Sequence, residues 1–458
     1  MPKLCLISLG CTKNLVDSEV MLGALSHYER TNEPQNADII IVNTCGFIAS
    51  AKKESIDRIL EVALVKKNDA ILIVSGCLSE RYAEELRDEI KEIDIITGVG
   101  DYDKIESMIK QVRDSRKMRN ESSLRGVENA EAIHNPPQIL KSDKTFLIDN
   151  EKRIITGSAI HAYIKISEGC NQQCSFCAIP HFKGKLHSRG IDSIMREVDS
   201  LVARGFSDFS FIAQDSSSYM RDLSKKDGLV ELIKRVESSG AKSARILYLY
   251  PTTTSESLIS AIAQSRVFQN YFDMPLQHIS DKMLKIMKRG ADKARHIALL
   301  RQMRDCKDSF VRTTFLIGHP QESEGDFDEL CEFVSEFSFE RANIFGFSRE
   351  EGTAAFSMSG EVSAKTTKER IKRLNAILSK QQKNSLKSLV GREIVAIIEG
   401  RSAQSDLLFS ARDLRWDREI DGEILINDSE IALNRGYYKV QITDFKSGIL
   451  LGKAVEKL

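Results

Sequence analysis

The chain has 458 residues, with 41% hydrophobic and 29% charged residues, and balances 66 Lys+Arg against 66 Asp+Glu. This is a globular profile about three domains long, and a formal net charge of zero excludes a globally basic nucleic-acid binder. No apolar run reaches the ~18–20 residues of a membrane helix, and the start, MPKLCLISLGC, lacks the features of a secretory signal, so a cytosolic protein without a membrane partner is expected.

Residues 1–113 alternate strand-like runs (Lys3–Leu9, Ala37–Asn43, Ala70–Ser75) with helix-like runs (Ser18–Leu25, Ser50–Lys66, Ser79–Ile90). Such alternation predicts a parallel-sheet α/β domain with helices on both faces and a ligand site beyond the strand carboxyl ends. Cys11, Cys45 and Cys77 each follow one of these strands, so one sheet edge would gather them. Residues 114–155 read as a linker, with His134-Asn135-Pro136-Pro137 and a hairpin near Thr145–Ile155.

In residues 156–387, strand-like runs at Ala162–Ser167, Asp208–Gln214, Arg245–Tyr250, Tyr271–Gln277, Val311–Gly318 and Ala342–Phe347 are separated by helical segments. Six such units predict a partial TIM-like (β/α)6 barrel, two units short of closure, with its site at the strand carboxyl ends. Ser363–Leu389 reads as one helix with eight Lys/Arg and one Asp/Glu, either a solvated face or a surface for phosphate or an acidic partner. Residues 388–458 hold short strands at Glu393–Ile398, Leu407–Ser410, Glu423–Ile426 and Tyr437–Thr443, which predict a small all-β barrel. The fold class is therefore multidomain α/β with an all-β terminal module.

Nine cysteines in a cytosolic chain point to metal or redox chemistry rather than disulfides. Cys170-Asn-Gln-Gln-Cys174-Ser-Phe-Cys177 is a C-x3-C-x2-C loop following a strand. Thiolates are soft donors suited to iron, and three of them can hold three irons of a four-iron cubane while the fourth stays open. Structural zinc is the competing reading. It wants four protein ligands, and no paired C-x2-C lies nearby, which leaves His181 or His187 as the fourth. Cys11, Cys45 and Cys77, each flanked by Gly or Asn, read as a second cluster or as three buried structural cysteines. Cys5, Cys306 and Cys331 match no motif and read as core residues.

The C-x3-C-x2-C loop, placed after the first of six β/α strands, resembles the radical S-adenosylmethionine (SAM) superfamily. Together with ISLGCTKNLVDSE, NTCGF, SGCLSER and the terminal β module, it makes nearly the whole chain similar to the methylthiotransferase family. The resemblance implies two 4Fe-4S clusters and SAM. Cys170, Cys174 and Cys177 would hold the cluster whose open iron binds SAM and whose one-electron reduction cleaves it to methionine and a 5′-deoxyadenosyl radical. Cys11, Cys45 and Cys77 would hold an auxiliary cluster, whose sulfur is methylated by one SAM and inserted at a carbon radical made with a second. Gln214, Asp215, Gln277, Arg312 and Gly318 lie at strand ends and are candidates for SAM or substrate contacts. Plain strand-end hydrogen bonding is the alternative for Gln277 and Arg312. A flavodoxin- or ferredoxin-like electron donor is implied as well.

Within that family, Ser8–Glu19, Ala213–Tyr219 and Ser348–Thr353 are similar to the branch that modifies a ribosomal protein rather than tRNA. That branch implies methylthiolation of an aspartate β-carbon in small-subunit ribosomal protein S-12, with a tRNA adenosine reaction as the alternative. Residues 388–458 contain ten Lys/Arg and twelve Asp/Glu, whereas an RNA-binding module would be basic. This module resembles a TRAM domain. It is expected to recruit a basic protein through Asp413, Asp417, Glu419 and Asp421, which crowd around Trp416, with acids that merely keep the barrel soluble and a core-packed Trp416 as the alternatives. The chain departs from its family at Met220, where many relatives have Gly, at Lys183, where Arg is commoner, and at Gly318-His319-Pro320-Gln321-Glu322, where the family has Gly-Phe-Pro-Gly-Glu.

Overall fold

The computed structural model describes residues 1–124, 137–141 and 152–458; most of the hairpin expected at Thr145–Ile155 lies outside them. The chain forms two compact units. The first comprises Met1–Thr156, Glu168–Asn171 and Ala178–His187, and the second Gly157–Ser167, Gln172–Cys177 and Ser188–Leu458.

The first unit contains β1 (Lys3–Ser8), β2 (Glu29–Arg30), β3 (Ile39–Thr44), β4 (Ile71–Gly76), β5 (Ile95–Thr97) and β6 (Gln138–Leu140). They form one six-stranded sheet in the order β2-β1-β3-β4-β5-β6, and every pairing is parallel. The runs Ile39–Val42 and Ile71–Val74 are continuously apolar because both faces of a parallel sheet are covered. Ile39, Ile41, Ile71 and Ile73 enter one core, while Ile40, Val42, Leu72 and Val74 enter the other. The expected helix Ser79–Ile90 is two helices, Cys77–Arg81 and Ala83–Glu89. The helix Ile105–Leu124 runs past residue 113, and β6 extends the sheet at its edge, so the described part of the expected linker contributes to this unit.

A short ribbon of β8 (Ser167–Glu168) and β9 (His187–Ser188) follows β7 (His161–Lys165). The second unit continues with β10 (Asp208–Ile212), β11 (Ser243–Ile246), β12 (Phe268–Asp273), β13 (Phe310–Ile317) and β14 (Arg341–Gly346). The sheet order β14-β13-β12-β11-β10-β7 reproduces the six expected β/α units in sequence order. The basic helix is Ala364–Lys387, capped where the Thr366 N–H donates to Ser363 Oγ at 3.0 Å. Arg370, Leu374 and Leu378, four residues apart, form its buried stripe. Among the described residues no helix is long and apolar enough to cross a membrane.

The terminal module is a closed barrel of β15 (Glu393–Ser402), β16 (Ser405–Asp413), β17 (Ile424–Ser429), β18 (Gly436–Lys446) and β19 (Ile449–Lys457), in the order β15-β16-β17-β19-β18. The last strand, absent from the sequence reading, returns through the two-residue turn Ser447-Gly448, whose φ values of 51° and 89° suit a tight hairpin.

The segment that carries the expected acidic docking patch is instead internal. Asp413, Trp416, Asp417 and Asp421 are buried, and only Glu419 of the four acids is exposed. Tyr163 Oη and Ser210 Oγ each donate to Asp417 at 2.7 Å, and Arg412 pairs with Asp208 at the start of β10. Arg415 pairs with Asp413 at 2.6 Å, and Arg412 also reaches Glu399 at 3.1 Å. The patch therefore cannot recruit a basic protein.

One buried acid in this seam is ionised at a cost. Burial, reinforced by Asp417 and opposed by Arg312, pushes the Asp421 carboxyl up to about 6. The unfolded chain loses this proton near pH 4, so stability falls as pH rises from about 4 to about 6, by about 3 kcal/mol, and stays reduced above that. Asp421→Asn keeps an oxygen to accept from the Asp417 N–H. Denaturant unfolding should show the Asn variant equal to the parent near pH 4 and more stable by up to ~3 kcal/mol near pH 8. Parallel stability profiles across that window would refute this ionisation.

Candidate functional site

In the first unit the three expected thiols converge at the carboxyl ends of their strands. Cys11 precedes the helix Thr12–Ala24, Cys45 follows β3, and Cys77 opens the short helix after β4. Asn14, on the first turn of that helix, lies at the centre. Its Nδ2 donates to the carbonyls of Leu9 (3.1 Å) and Thr44 (2.9 Å). Its Oδ1 lies 3.9 Å from Cys11 Sγ and 3.7 Å from Cys77 Sγ. Gly10, at φ 87°, allows the close approach of Cys45: a Cβ there would lie 2.7 Å from the Cys45 Cβ and 3.0 Å from its Sγ. Gly10 thus keeps a Cβ out of the space beside Cys45, while the Asn14 side chain lies between Cys11 and Cys77.

Charge in this unit is set by a buried triad. Lys183 Nζ lies 3.4 Å from Glu168 Oε1 and 3.6 Å from Asp17 Oδ2, all three side chains being buried. Burial alone would drive the Lys183 ammonium to lose its proton; Glu168, Cys77 and Asp17 outweigh it and hold the charge. Burial likewise pushes the Cys77 thiol up to about 12, with Lys183 pulling the other way. The Lys183 noted as a family departure is therefore a fixed cation facing the sulfur set.

The C-x3-C-x2-C loop is anchored along its length. The Cys170 N–H donates to the Gly184 carbonyl at 3.1 Å. In the second unit the Cys177 N–H donates to the Cys174 carbonyl at 3.1 Å, and the Ser175 N–H to Met287 O at 3.0 Å. Ser175 Oγ is 3.1 Å from His319 Nε2. Phe176 packs against Met283, Met287, Leu316 and Phe347, which makes it a packing residue of the loop. Cys174 Sγ accepts from Arg289 Nη1 at 3.1 Å and lies 3.4 Å from Tyr250 Oη. Among the described residues no three Cys, His, Asp or Glu side chains close on a single-ion point. A cubane takes one thiolate per iron corner and needs a wider set, and two sets of three thiols match that donor chemistry.

The other expected contacts fall into two groups. Asp215 is buried beside half-buried Gln214 and organises the loop after β10, accepting from the Ser218 N–H at 3.1 Å and from Ser217 Oγ at 2.8 Å. It also accepts from Gln172 Nε2, two residues before Cys174, at 2.8 Å. Gln277, after β12, has a φ of 71°, a strained conformation for a side chain other than Gly, and its backbone bridges to Thr314 and Leu316. Gly318, after β13, donates its N–H to Glu322 Oε2 at 2.5 Å, and a Cβ there would collide with Thr367 Oγ1. Arg312 is not gathered with these. It lies five residues before the end of β13, where Nη1 pairs with Asp273 Oδ1 at 2.8 Å and Asp421 adds its charge. A cation inside a strand is neutralised by the acid on the adjacent strand, and that pairing decides where Arg312 points.

Sequence reasoning missed the roles of Arg289 and Tyr250 at the Cys174 sulfur, of Ser175 and His319, which bond one another beside it in the loop, and of Asn14 in the other set. Asn14 stood within the first quoted motif, and Tyr250 closed an expected strand; no motif marked Arg289.

Residues 3–98 match the family described as Uncharacterized protein family UPF0004, and residues 164–334 match the Radical SAM superfamily. The fold is shared with a radical S-adenosylmethionine methyltransferase, TsrM, from Kitasatospora setae, at TM-score 0.55 and 13% identity over 75% of this chain and 73% of that one. With six parallel β/α strands and a three-cysteine loop after the first, this is a radical SAM enzyme, a class that implies a four-iron four-sulfur cluster and SAM. The Ribosomal protein uS12 methylthiotransferase RimO of Helicobacter hepaticus is 55% identical over 99% of this chain and 98% of its own length. Those of Wolinella succinogenes (98% of this chain, 97% of its own) and Helicobacter pylori strain G27 (99% and 98%) are 54% and 53% identical. The chain belongs to the RimO family of radical SAM methylthiotransferases.

Proposed function

We propose that this enzyme adds a methylthio group to the β-carbon of an aspartate in small-subunit ribosomal protein S12, acting in the cytosol with electrons from a flavodoxin- or ferredoxin-like donor. The observation that carries this reading is the convergence of Cys11 and Cys77 on Asn14, with Cys45 against Gly10, a second soft-donor set in addition to the radical SAM loop. The uS12 named in the relatives at 53–55% identity supports the substrate.

When bound, a 4Fe-4S cluster on Cys170, Cys174 and Cys177 supplies reductive cleavage of SAM, and one on Cys11, Cys45 and Cys77 supplies the sulfur. The protein's own part is to hold these sets rigid. Ser175 and Phe176 fix the radical loop, and Asp215 positions Gln172 within it. Gln214, Asp215, Gln277 and Gly318, at the strand ends, are the proposed SAM or substrate contacts, whereas the Asp273 pairing of Arg312 favours a structural role. Lys183 offsets the thiolates of the auxiliary set. Residues 1–113 would serve sulfur delivery, 156–387 radical chemistry, and 388–458 form a TRAM-like barrel. The net charge of that barrel, −2 by the count above, argues against the tRNA reaction.

Mass analysis of S12 and of tRNA from cells with and without the gene tests the proposal. S12 should carry the methylthio group only when the gene is present, with tRNA unchanged; a tRNA difference with unmodified S12 would replace this substrate.

A further inference from the structure

We infer that Arg289, supported by Tyr250, sets the reduction potential of the cluster on the radical loop by hydrogen-bonding the sulfur of Cys174. The inference rests on the reading that Cys170, Cys174 and Cys177 hold that cluster.

Arg289 is only 3% exposed. Its Nη1 donates to Cys174 Sγ at 3.1 Å and its Nη2 to the Pro275 carbonyl at 2.5 Å. Among the described residues no carboxylate lies within ion-pair distance of it. A buried cation without a counter-ion is costly, so its partner must be supplied by something else. Asp215 adds its charge from beyond ion-pair distance, and the candidate in contact is the thiolate of Cys174 with the anionic cluster it would ligate. Tyr250 reinforces the arrangement. The guanidinium carbon stands 4.3 Å from the Tyr250 ring centroid, a cation–π distance. Tyr250 Oη lies 3.1 Å from the Arg289 carbonyl and 3.4 Å from Cys174 Sγ. Its one proton is divided between the two, which leaves Arg289 as the principal donor to sulfur.

The sign follows from charge. Reduction moves one electron from an external donor, dithionite in the test below, onto the cluster and makes it one unit more negative. A cation and hydrogen-bond donors at the sulfur stabilise the reduced form more than the oxidised form, which raises the potential. Removing them lowers it, and the same donor then reduces the cluster less completely.

The full chain carrying Cys11→Ala, Cys45→Ala and Cys77→Ala provides the background for the test, because only the radical loop can then load. About four irons per chain after anaerobic reconstitution establish the parent reading, and their absence would sink that reading rather than this inference. In this background an EPR-monitored redox titration with dithionite should show Arg289→Met about tenfold harder to reduce, 59 mV more negative for one electron. Tyr250→Phe should shift the same way by less, and Arg289→Lys, which keeps the charge, should recover part of the loss. Arg289→Met with four irons and the parent potential overturns the inference. If Arg289→Met loads no iron, Arg289→Lys and Tyr250→Phe decide, and parental potentials in both overturn it.

Discussion

Replacing Cys11, Cys45 and Cys77 together with Ala leaves 5′-deoxyadenosine formation near the parental rate and removes the methylthio product. The two soft-donor sets belong to different elements. The first follows β1, β3 and β4, and the second lies on one loop after β7. Iron should fall from about eight to about four per chain in this variant. The converse triple variant at Cys170, Cys174 and Cys177 should also keep about four irons but form no 5′-deoxyadenosine at all. Iron analysis and anaerobic turnover with dithionite and SAM read both outcomes. If the first variant loses both activities while its circular dichroism stays parental, the assignment of sulfur delivery to that set fails. If the second keeps all its iron, the C-x3-C-x2-C loop is not a cluster site.

Asp208→Ala should be among the most destabilising single changes in the second unit. Asp208 is fully buried and takes a two-pronged pair from Arg245, at 2.7 and 3.1 Å, together with Arg412 of the terminal barrel. Burial would push its carboxyl up, but Arg245 and Arg412 outweigh that and hold it well below the usual range. A lowered folded value means that the stabilisation is complete above the ordinary pH of about 4 and is lost only as acid protonates the group, so at pH 7 all of it is present. Removing one partner leaves Arg245 and Arg412 buried and facing one another, at a cost of about 3–5 kcal/mol. Asp428, which is exposed and lies 3.7 Å from Lys453, provides the contrast, and its Ala variant should stay within about 0.5 kcal/mol. Urea unfolding at neutral pH measures both. A loss below about 1 kcal/mol for Asp208→Ala would show that the seam does not hold the barrel to the sheet. The same seam bears on truncation: removing residues 388–458 uncovers Asp208 and Arg245, so such a chain should unfold rather than merely lose substrate recruitment.

Much of the fold was legible because its signals are local and periodic. The continuous apolar runs Ile39–Val42 and Ile71–Val74 could only be strands covered on both faces, and the six later strands appeared in order. Strands of two or three residues, such as β2, β5 and β6, are too short to carry a period, and they went unseen. So did β19, although its alternating pattern Leu450, Gly452, Ala454 follows the Ser447-Gly448 turn.

The sequence by itself determined the chemistry of the site, because the number and spacing of thiols decide which metal group can bind, and a single loop keeps Cys170, Cys174 and Cys177 together whatever the fold does around them. Only the tertiary structure decided where charges face. Asp413, Asp417 and Asp421 read as an exposed patch, yet they turn inward, because the groups that hold Asp417 and Asp421 there, Tyr163, Ser210 and Arg312, lie far away in sequence. Arg289 and Tyr250 stand thirty-nine residues apart and meet at Cys174 only because helix and strand packing brings them there, so no local pattern could announce them.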